Sequence, residues 1–271
     1  SKTVYLHWRT LVEKPSWWII FYTIYQSETS NLINQNRINY TMEKNRFYND
    51  EKFLGSMSGR PLRILSEYLG PLSTLQRNKI VDTIVFFGSA RFKSTDSYYR
   101  KAKELSNKLT KWNMENFTDE HRYVITSGAG PGIMEAANKG AHEAGGVSIG
   151  LGISLPFEQT NNQWITKGLN FVFHYFFMRK FWFIYKTKGI VVWPGGLGTL
   201  DELFDILTLL QCKKITRKIP IILFGSDFWN GLINWEKMIK LGTISRKDLD
   251  LFVIVDSVDE AFEYMVKNMQ K

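Results

Sequence analysis

The stretch WPGGLGTLDE, residues 193–202, joins an apolar run to a helical pattern and contains three glycines, a threonine and two carboxylates. Glycine has no side chain, so the backbone at Gly195, Gly196 and Gly198 can turn tightly and approach a ligand closely. The unpaired N–H groups at the start of the following helix then point at open space, which suits a phosphate. The stretch is therefore a candidate anion-binding loop.

Two further glycine-containing loops follow predicted strands, GSAR at 88–91 and SGAGPG at 127–132. The loop at 194–199 lacks the Gly-Lys-Ser/Thr ending of a Walker A motif, and the GxGxG spacing at 127–132 is a weak signal alone. Each loop by itself could be only a tight strand-to-helix turn. Three of them at predicted strand ends favour an anion or nucleotide pocket.

Glu202 follows Thr199 by three positions, and two interpretations of this spacing are open. Thr-x-x-Glu is a capping box, in which Glu202 would only stabilise the start of a helix. Alternatively, Glu202 is a carboxylate beside a phosphate site, which is useful for stabilising positive charge or activating water. Cleavage of a glycosidic bond needs both, because its transition state resembles an oxocarbenium ion.

Arg179 lies in the aromatic run 171–185, just after a predicted strand end. It is either a surface or ion-paired arginine, or a guanidinium that reaches the same cleft. In the second case it would hold a carboxylate or a phosphate in a forked geometry. Its neighbour Lys180 is expected to be solvated.

Short apolar strands that alternate with helical patterns would position these residues. The strands are continuously apolar, which is typical of parallel strands buried on both faces. The sequence therefore predicts an α/β fold, a doubly wound and mainly parallel Rossmann-like sheet with helices on both faces. Ligands bind beyond the carboxyl ends of the strands in such sheets. The predicted strands are 83–87, 123–126, 147–149, 170–173, 189–193, 219–224 and 252–255.

Local signals predict where two of the helices begin. Ser94 or Thr95 is expected to cap the helix after the first strand, because a hydroxyl oxygen can accept from first-turn N–H groups. Ser257, with Glu260 three residues on, has the spacing of a capping box.

Residues 1–80 contain no convincing strand and are predicted to form an N-terminal helical extension. Residues 81–271 are predicted to form a Rossmann-like, nucleotide-binding catalytic domain. The aromatic run at 17–22 sits in a segment much shorter than the ~20 apolar residues of a membrane span. The run at 171–185 is interrupted by Arg179 and Lys180. Both runs are expected to be core or interface, and no membrane span is predicted.

The chain has a formal net charge of +9 and an isoelectric point near 9.4, which favours acidic partners such as phosphorylated small molecules. Its densest basic groups, Lys213-Lys214 and Arg217-Lys218, are expected to be solvated surface or to steer an anionic substrate. A binder of single-stranded nucleic acid would need aromatic and basic residues interleaved along one groove. The run at 171–185 offers that only weakly, so nucleic acid is not expected as a partner.

The single cysteine, Cys212, excludes an internal disulfide framework and a zinc cluster. It fits a reducing, cytoplasmic location, as does the lack of a visible signal peptide. In its helical context Cys212 is expected to be a buried small hydrophobe. The four histidines show no metal-ligand spacing, and neither a metal nor a cofactor is predicted.

Met178-Arg179-Lys180, followed by PGGLGTLDE at 194–202, resembles the paired motifs of the LONELY GUY family, an Arg-Lys pair and PGGxGTxxE. The resemblance begins at GRPLRIL, residues 59–65, and runs to the C-terminal helix. That segment and GSAR at 88–91 resemble the longer, bacterial-type branch of the family. Residues 1–55 are not covered by the resemblance.

The resemblance implies hydrolysis of the N-glycosidic bond of a purine nucleoside 5′-monophosphate, AMP or N6-modified (cytokinin) AMP, to the free base and ribose 5-phosphate. It implies that Arg179 and Glu202 are the catalytic pair. Family members form dimers or larger assemblies, so a homodimer or larger homo-oligomer is expected. The residues implied to hold the 5′-phosphate are Gly195, Gly196, Gly198 and Thr199, and those implied to line the rest of the nucleotide pocket are Gly88, Ser89, Gly128, Gly130 and Glu135.

A non-catalytic nucleotide-binding or carrier protein on the same fold is the alternative, because a fold does not by itself separate an enzyme from a binder. The combination of Arg179 with Glu202 distinguishes the two, since a pure binder needs no carboxylate beside a phosphate. Family members were long labelled possible lysine decarboxylases. That activity is disfavoured, because pyridoxal phosphate enzymes need a Schiff-base lysine and none lies within or directly after the glycine loops.

Overall fold

The computed structural model describes residues 46–117, 121–155 and 161–269. The chain divides into two compact units, residues 1–51 and 52–271. The sheet and the candidate site belong to the second unit.

The N-terminal part of the chain is described from residue 46 onwards. Phe47–Asn49 forms a 3-10 turn, helix α1 spans Glu51–Gly55, and helix α2 spans Arg60–Arg77. The aromatic run at 17–22 lies outside the described residues, and the helical extension over residues 1–80 stays a prediction.

Parallel strands form one sheet, and this confirms the predicted α/β fold. The strands are β1 (Thr83–Phe87), β2 (Val124–Ser127), β3 (Ser148–Ile153), β4 (Asn170–Phe173), β5 (Thr187–Val192), β6 (Ile221–Phe224) and β7 (Val253–Val255). Within the described ranges the sheet has seven strands in the spatial order β4-β3-β2-β1-β5-β6-β7. The bounds of β1 and β4 agree with the predicted ones.

Helices cover both faces of the sheet. They are α3 (Ser97–Asn116), α4 (Ile133–Glu143), α5 (Phe176–Tyr185), α6 (Leu197–Gln211), α7 (Ser226–Leu232), α8 (Trp235–Lys240) and α9 (Val258–Met269), with a 3-10 segment at Arg246–Leu251. Ile84 and Phe86 of β1 belong to the core cluster shared with α3, α4 and α9. Val85 and Phe87 belong to the cluster shared with α5 and α6. Successive strand residues thus pack on opposite faces, which explains why β1 is apolar from Ile84 to Phe87.

The order of the strands places a crevice between β1 and β5. From β1 the chain builds β2, β3 and β4 on one side, and then returns to start β5 on the other side of β1. Such a reversal of direction is the topological switch point at which open α/β sheets bind ligands. Phe87 and Val192, the last residues of β1 and β5, are register partners. The glycine loops that follow these strands therefore leave the sheet side by side.

Some local predictions hold and others are wrong. The capping box of α9 is confirmed, because the N–H of Glu260 donates to Ser257 Oγ at 3.2 Å and the N–H of Ser257 donates to Glu260 Oε2 at 3.3 Å. The predicted cap at Ser94 or Thr95 is wrong, because α3 begins later and its N-cap position is Asp96.

The structure also tests two predictions about side-chain exposure. Cys212 is exposed rather than buried, because it follows the last turn of α6 instead of lying within its packed face. The basic groups Lys213-Lys214 and Arg217-Lys218 are exposed on the segment that leads to the amino end of β6. They lie at the opposite edge of the sheet from the switch-point crevice, so their position favours the solvated interpretation.

The aromatic run at 171–185 forms β4 and α5. Met178, Trp182 and Phe183 are buried in the core, whereas Phe177 and Phe181 are exposed. None of the helices in the described parts of the chain is long and apolar enough to cross a membrane.

Candidate active site

A cavity of about 590 Å³ lies at the switch point, between the loops after β1, β2 and β5 and the start of α5. Its volume is within the range of small-molecule sites. The predicted site residues that line it are Gly88, Ser89, Gly128, Arg179, Gly196, Gly198, Thr199 and Glu202. The structure therefore brings together both members of the predicted catalytic pair and residues from all three glycine loops.

Three predicted residues lie outside this lining. Gly130 lines an adjoining cavity of about 170 Å³, whose wall also includes Arg179. Glu135 accepts a hydrogen bond at its Oε1 from the hydroxyl of Tyr99 at 2.9 Å. Gly195 packs on Thr199, and a Cβ at this glycine would lie 2.1 Å from Thr199 Oγ1. Gly195 thus lets the loop close on itself rather than facing the cavity.

The start of α6 provides the anion-binding groups. Gly196 is the N-cap residue, and its carbonyl oxygen accepts from the N–H groups of Thr199 and Leu200 at 3.0 and 3.1 Å. The N–H groups of Gly196, Leu197 and Gly198 have no acceptor among the described residues. A Cβ at Gly196 or Gly198 would meet nothing within 4 Å, so both glycines leave open space above these donors. Unpaired donors at the positive end of a helix dipole favour a bound anion.

Glu202 does not cap the helix, so the capping-box interpretation of Thr199 and Glu202 is wrong. The helix begins at Leu197, two residues before Thr199, and its N-cap Gly196 has no side-chain cap. This start places Glu202 in the second turn, where it lines the cavity and is only 7% exposed.

The Glu202 carboxyl group has an unusual electrostatic environment. Burial raises its pKa to about 7, against the lowering influence of the Arg179 and Lys180 charges. No side chain or main-chain group in the described parts of the chain hydrogen-bonds this carboxyl group. A buried acid with a perturbed pKa in a cleft is typical of a functional group rather than a structural one.

Arg179 is held in place by main-chain and aromatic contacts. Its Nε donates to the carbonyl oxygen of Leu151, within β3, at 2.9 Å. Its guanidinium carbon lies 5.1 Å from the ring centroid of Phe183. Burial lowers the pKa of Arg179, and the carboxylate charges of Glu202 and Asp201 oppose that shift. Within the described residues Arg179 and Glu202 form no direct ion pair, so the carboxylate stays available to a ligand.

Gly128 provides the space that Arg179 occupies. A Cβ at this position would lie 2.7 Å from Arg179 Nη2 and 2.8 Å from Met134 Sδ. The second glycine loop is therefore needed for close packing against the arginine, in addition to lining the cavity.

Lys180 is ion-paired, so the expectation that it is solvated is wrong. Its Nζ lies 2.8 Å from Asp201 Oδ1 and 3.7 Å from Asp205 Oδ2. The pairing joins α5 to α6 beside the cavity and leaves Asp201 with a partner, unlike Glu202.

Sequence reasoning missed several residues of the cavity wall. Arg91, Met134, Phe176 and Leu197 line it beside the predicted residues. Arg91 belongs to the loop GSAR, so its cationic side chain was the available signal. The described ranges contain no group of three His, Cys, Asp or Glu side chains that could hold a metal ion.

Comparisons with known proteins agree on one family. A family model described as possible lysine decarboxylase matches residues 134–265. The cytokinin riboside 5′-monophosphate phosphoribohydrolase LOG3 of Arabidopsis thaliana is 25% identical over 202 residues, which are 73% of this chain and 86% of that protein. The cytokinin riboside 5′-monophosphate phosphoribohydrolase of Mycobacterium tuberculosis is 35% identical over 80 residues, which are 28% of this chain and 41% of that protein.

A solved structure shares the fold. The molybdenum cofactor binding protein of Rippkaea orientalis aligns with a TM-score of 0.50 at 20% identity, over 70% of this chain and 98% of that chain. At this identity the alignment bears on the fold and not on the ligand.

Proposed function

Since this chain belongs to the LONELY GUY family, we propose that it hydrolyses the N-glycosidic bond of a purine nucleoside 5′-monophosphate. The proposed substrate is AMP or an N6-modified AMP, and the products are the free base and ribose 5-phosphate. The names of its relatives describe a phosphoribohydrolase of cytokinin riboside 5′-monophosphate, which supports this class of reaction.

The observation that carries the proposal is Glu202, a buried carboxyl group without a hydrogen-bond partner in the described residues, in the same cavity as a helix start with unpaired N–H groups. A phosphate bound at Gly196 and Gly198 would hold the ribose beside this carboxylate. An anion there stabilises the positive charge that develops at C1′ as the bond to the base breaks. It can also orient the water that attacks C1′ and accept its proton.

Arg179 has a different proposed role. Its bond to Leu151 fixes the guanidinium in the cavity wall. Its positive charge favours the ionised form of Glu202, which the reaction requires. Its remaining N–H groups are free to bind substrate oxygen atoms in a forked geometry.

The proposed enzyme is also a homo-oligomer. Helices α2 and α5 carry exposed apolar side chains, among them Leu65, Phe177 and Phe181. They line an almost entirely apolar groove of about 750 Å³. Light scattering is expected to give the mass of a dimer or larger assembly, and Phe181→Asp is expected to lower it. Leu241→Asp, at an exposed leucine outside this groove, is the matched control. A monomeric wild type would refute this part of the proposal.

The activity is tested by incubating the protein with AMP and separating the products by chromatography. Free adenine and ribose 5-phosphate are expected from the wild type, and neither from Glu202→Gln or Arg179→Ala. Asp205→Asn, a carboxylate on the same helix that does not line the cavity, is the matched control and should keep activity. Circular dichroism shows whether each variant is folded.

A lack of AMP hydrolysis leads to a second test. If AMP stays intact, N6-prenylated AMP and the other nucleoside monophosphates are tested in the same way. Intact substrate throughout, together with tight nucleotide binding, would reject the hydrolase and support the non-catalytic carrier.

A further inference from the structure

We propose that Arg91 binds the 5′-phosphate of the substrate and makes the site select nucleotides over unphosphorylated nucleosides. The inference rests on the proposed nucleotide site and gives a role to Arg91, the last residue of the GSAR loop, which lies outside the residues 134–265 that the family model matches. Arg91 is exposed, follows β1 by four residues and lines the cavity together with Gly196, Gly198 and Thr199.

The charges in the cavity wall explain why a further cation is needed. Its charged residues are Arg91, Arg179, Asp201 and Glu202. Without Arg91 the wall has one cation, Arg179, and two acids, so its side chains provide no net positive charge with which to hold a phosphate dianion. The helix start supplies only neutral N–H groups, which favour an anion but do not balance its charge.

Two of these four charged groups already have partners. Arg179 donates to Leu151 and lies over Phe183, and Asp201 pairs with Lys180. The guanidinium of Arg91 makes no hydrogen bond or ion pair with any of the described residues. All its donors are therefore available, and their forked arrangement matches phosphate oxygen atoms.

The backbone around Arg91 is fixed next to the phosphate loop. The N–H of Ser89 donates to the carbonyl oxygen of Pro194 at 3.1 Å, which joins the two loops directly. The N–H of Arg91 donates to Ser89 Oγ at 3.1 Å, and the carbonyl oxygen of Ser89 accepts from the N–H of Ile133 at 3.0 Å. The side chain of Arg91 thus starts from a rigid position beside the anion-binding loop.

A phosphate contact of this kind binds the substrate and the transition state equally, so its loss raises KM and leaves kcat nearly unchanged. A charge-assisted hydrogen bond of this type corresponds to a change of about 10- to 100-fold. The loss of affinity is expected only for ligands that carry the phosphate.

The test uses Arg91→Gln and Arg91→Lys, with Lys93→Gln as the matched control. Lys93 is an exposed cation two residues on that does not line the cavity. Affinities for AMP, ribose 5-phosphate and adenosine are measured by calorimetry, together with kcat and KM for AMP. Arg91→Gln is expected to weaken AMP and ribose 5-phosphate about 10- to 100-fold and to leave adenosine unchanged. Arg91→Lys should recover part of the loss, and Lys93→Gln should behave as the wild type.

Two results would overturn the role of Arg91. One is unchanged AMP affinity in Arg91→Gln, and the other is an equal loss for AMP and adenosine. Binding and hydrolysis are measured separately, so the test of phosphate binding by Arg91 does not depend on hydrolysis of AMP. Phosphate-dependent binding through Arg91 without hydrolysis would support Arg91 and reject the hydrolase.

Discussion

Lys180 lies 2.8 Å from Asp201 and joins α5 to α6 at the rim of the cavity. Lys180 follows Arg179 in the sequence, and Asp201 precedes Glu202. Lys180 and Asp201 therefore neutralise each other, while Arg179 and Glu202 both line the cavity. The ion pair connects the two helices and leaves the proposed catalytic residues available to a ligand.

Lys180→Met is expected to make Glu202 harder to ionise. The Lys180 charge lowers the pKa of Glu202, whereas the Asp201 and Asp205 charges raise it. Removing the lysine leaves the aspartate charges unopposed, so the acid limb of the pH dependence of kcat/KM should move to higher pH. For the wild type this limb is expected near pH 7, the pKa to which burial raises Glu202.

The double variant Lys180→Met/Asp201→Asn is the control for this prediction. It removes one charge of each sign, so its acid limb should lie close to that of the wild type. Because the pair is partly exposed, the change in the free energy of unfolding should stay within about 1 kcal/mol. An acid limb that does not move in Lys180→Met would show that the pair does not act on Glu202.

Glu202 should make the protein less stable as the pH rises. Its pKa is about 7 in the folded state, against about 4.3 in an unfolded chain. Between these two values the folded state binds more protons than the unfolded state, so the free energy of unfolding falls as the pH rises. The carboxyl group contributes its full stabilisation below about pH 4 and loses roughly 3 kcal/mol of it by about pH 8.

Urea unfolding of the wild type and of Glu202→Gln at about pH 5 and about pH 8 measures this loss. The contributions of other titrating groups to the free energy of unfolding cancel in the difference between the two proteins. Glutamine cannot ionise. The free energy of unfolding of Glu202→Gln, relative to that of the wild type, should therefore increase by up to roughly 3 kcal/mol across this interval. A difference that is independent of pH would mean that Glu202 titrates at an ordinary value.

Gly128→Ala should reduce activity more than stability. The added Cβ would lie 2.7 Å from Arg179 Nη2 and 2.8 Å from Met134 Sδ. Both atoms end flexible side chains that can shift, so the cost in stability should be near the lower end of the overpacking range, about 1 kcal/mol. The shift moves the guanidinium, however, and kcat with AMP should fall at least about 10-fold.

Gly231→Ala is the matched control for Gly128→Ala. A Cβ at Gly231, within α7, would meet nothing within 4 Å. Alanine is the better helix former there and should stabilise the protein by about 0.5–1 kcal/mol without changing kcat. Wild-type kcat in Gly128→Ala would show that Arg179 does not need its present position.

The sheet was predictable because its signal is local. Each strand contains a short apolar run, and in β1 all five residues are buried. The glycine loops were predictable for the same reason, since their position after strands places them at one edge of the sheet.

The chemistry of the site depends on contacts between distant residues, and these were not predictable in the same way. Thr199 and Glu202 have capping-box spacing, but the helix starts two residues earlier because Gly196 accepts the first backbone bonds. The partners of Lys180 follow from the packing of α5 beside α6. Arg91 ends the loop GSAR, yet only its position in the cavity wall distinguishes it from other exposed cations.

Glu67 should control the placement of Arg179 from outside the cavity. Its Oε1 accepts from the N–H of His174 at 2.7 Å and its Oε2 from the N–H of Tyr175 at 3.2 Å, at the start of α5. Its carbonyl oxygen accepts from Trp182 Nε1 at 2.9 Å. Helix α5 has no side-chain cap, and this carboxylate from α2 instead holds the backbone of the two residues that lead into the helix.

Glu67→Ala is expected to lower the free energy of unfolding by about 1–2 kcal/mol, because the N–H groups of His174 and Tyr175, directly before α5, lose their acceptor. It should also lower kcat, because α5 carries Arg179. Glu67→Gln keeps one acceptor oxygen and should lie between the wild type and Glu67→Ala in both properties. Urea unfolding and steady-state kinetics with AMP, well below the unfolding temperature, measure the two effects.

Ser66→Ala is the matched control on the same helix. Ser66 is exposed, and its hydroxyl bonds only to the carbonyl oxygen of Arg63. Its replacement should leave stability within about 0.5 kcal/mol and activity unchanged. A purely structural role for Glu67 would lower stability but leave the kcat of the remaining folded protein at the wild-type value. The graded fall in kcat from the wild type through glutamine to alanine is therefore the result that assigns Glu67 to the positioning of Arg179.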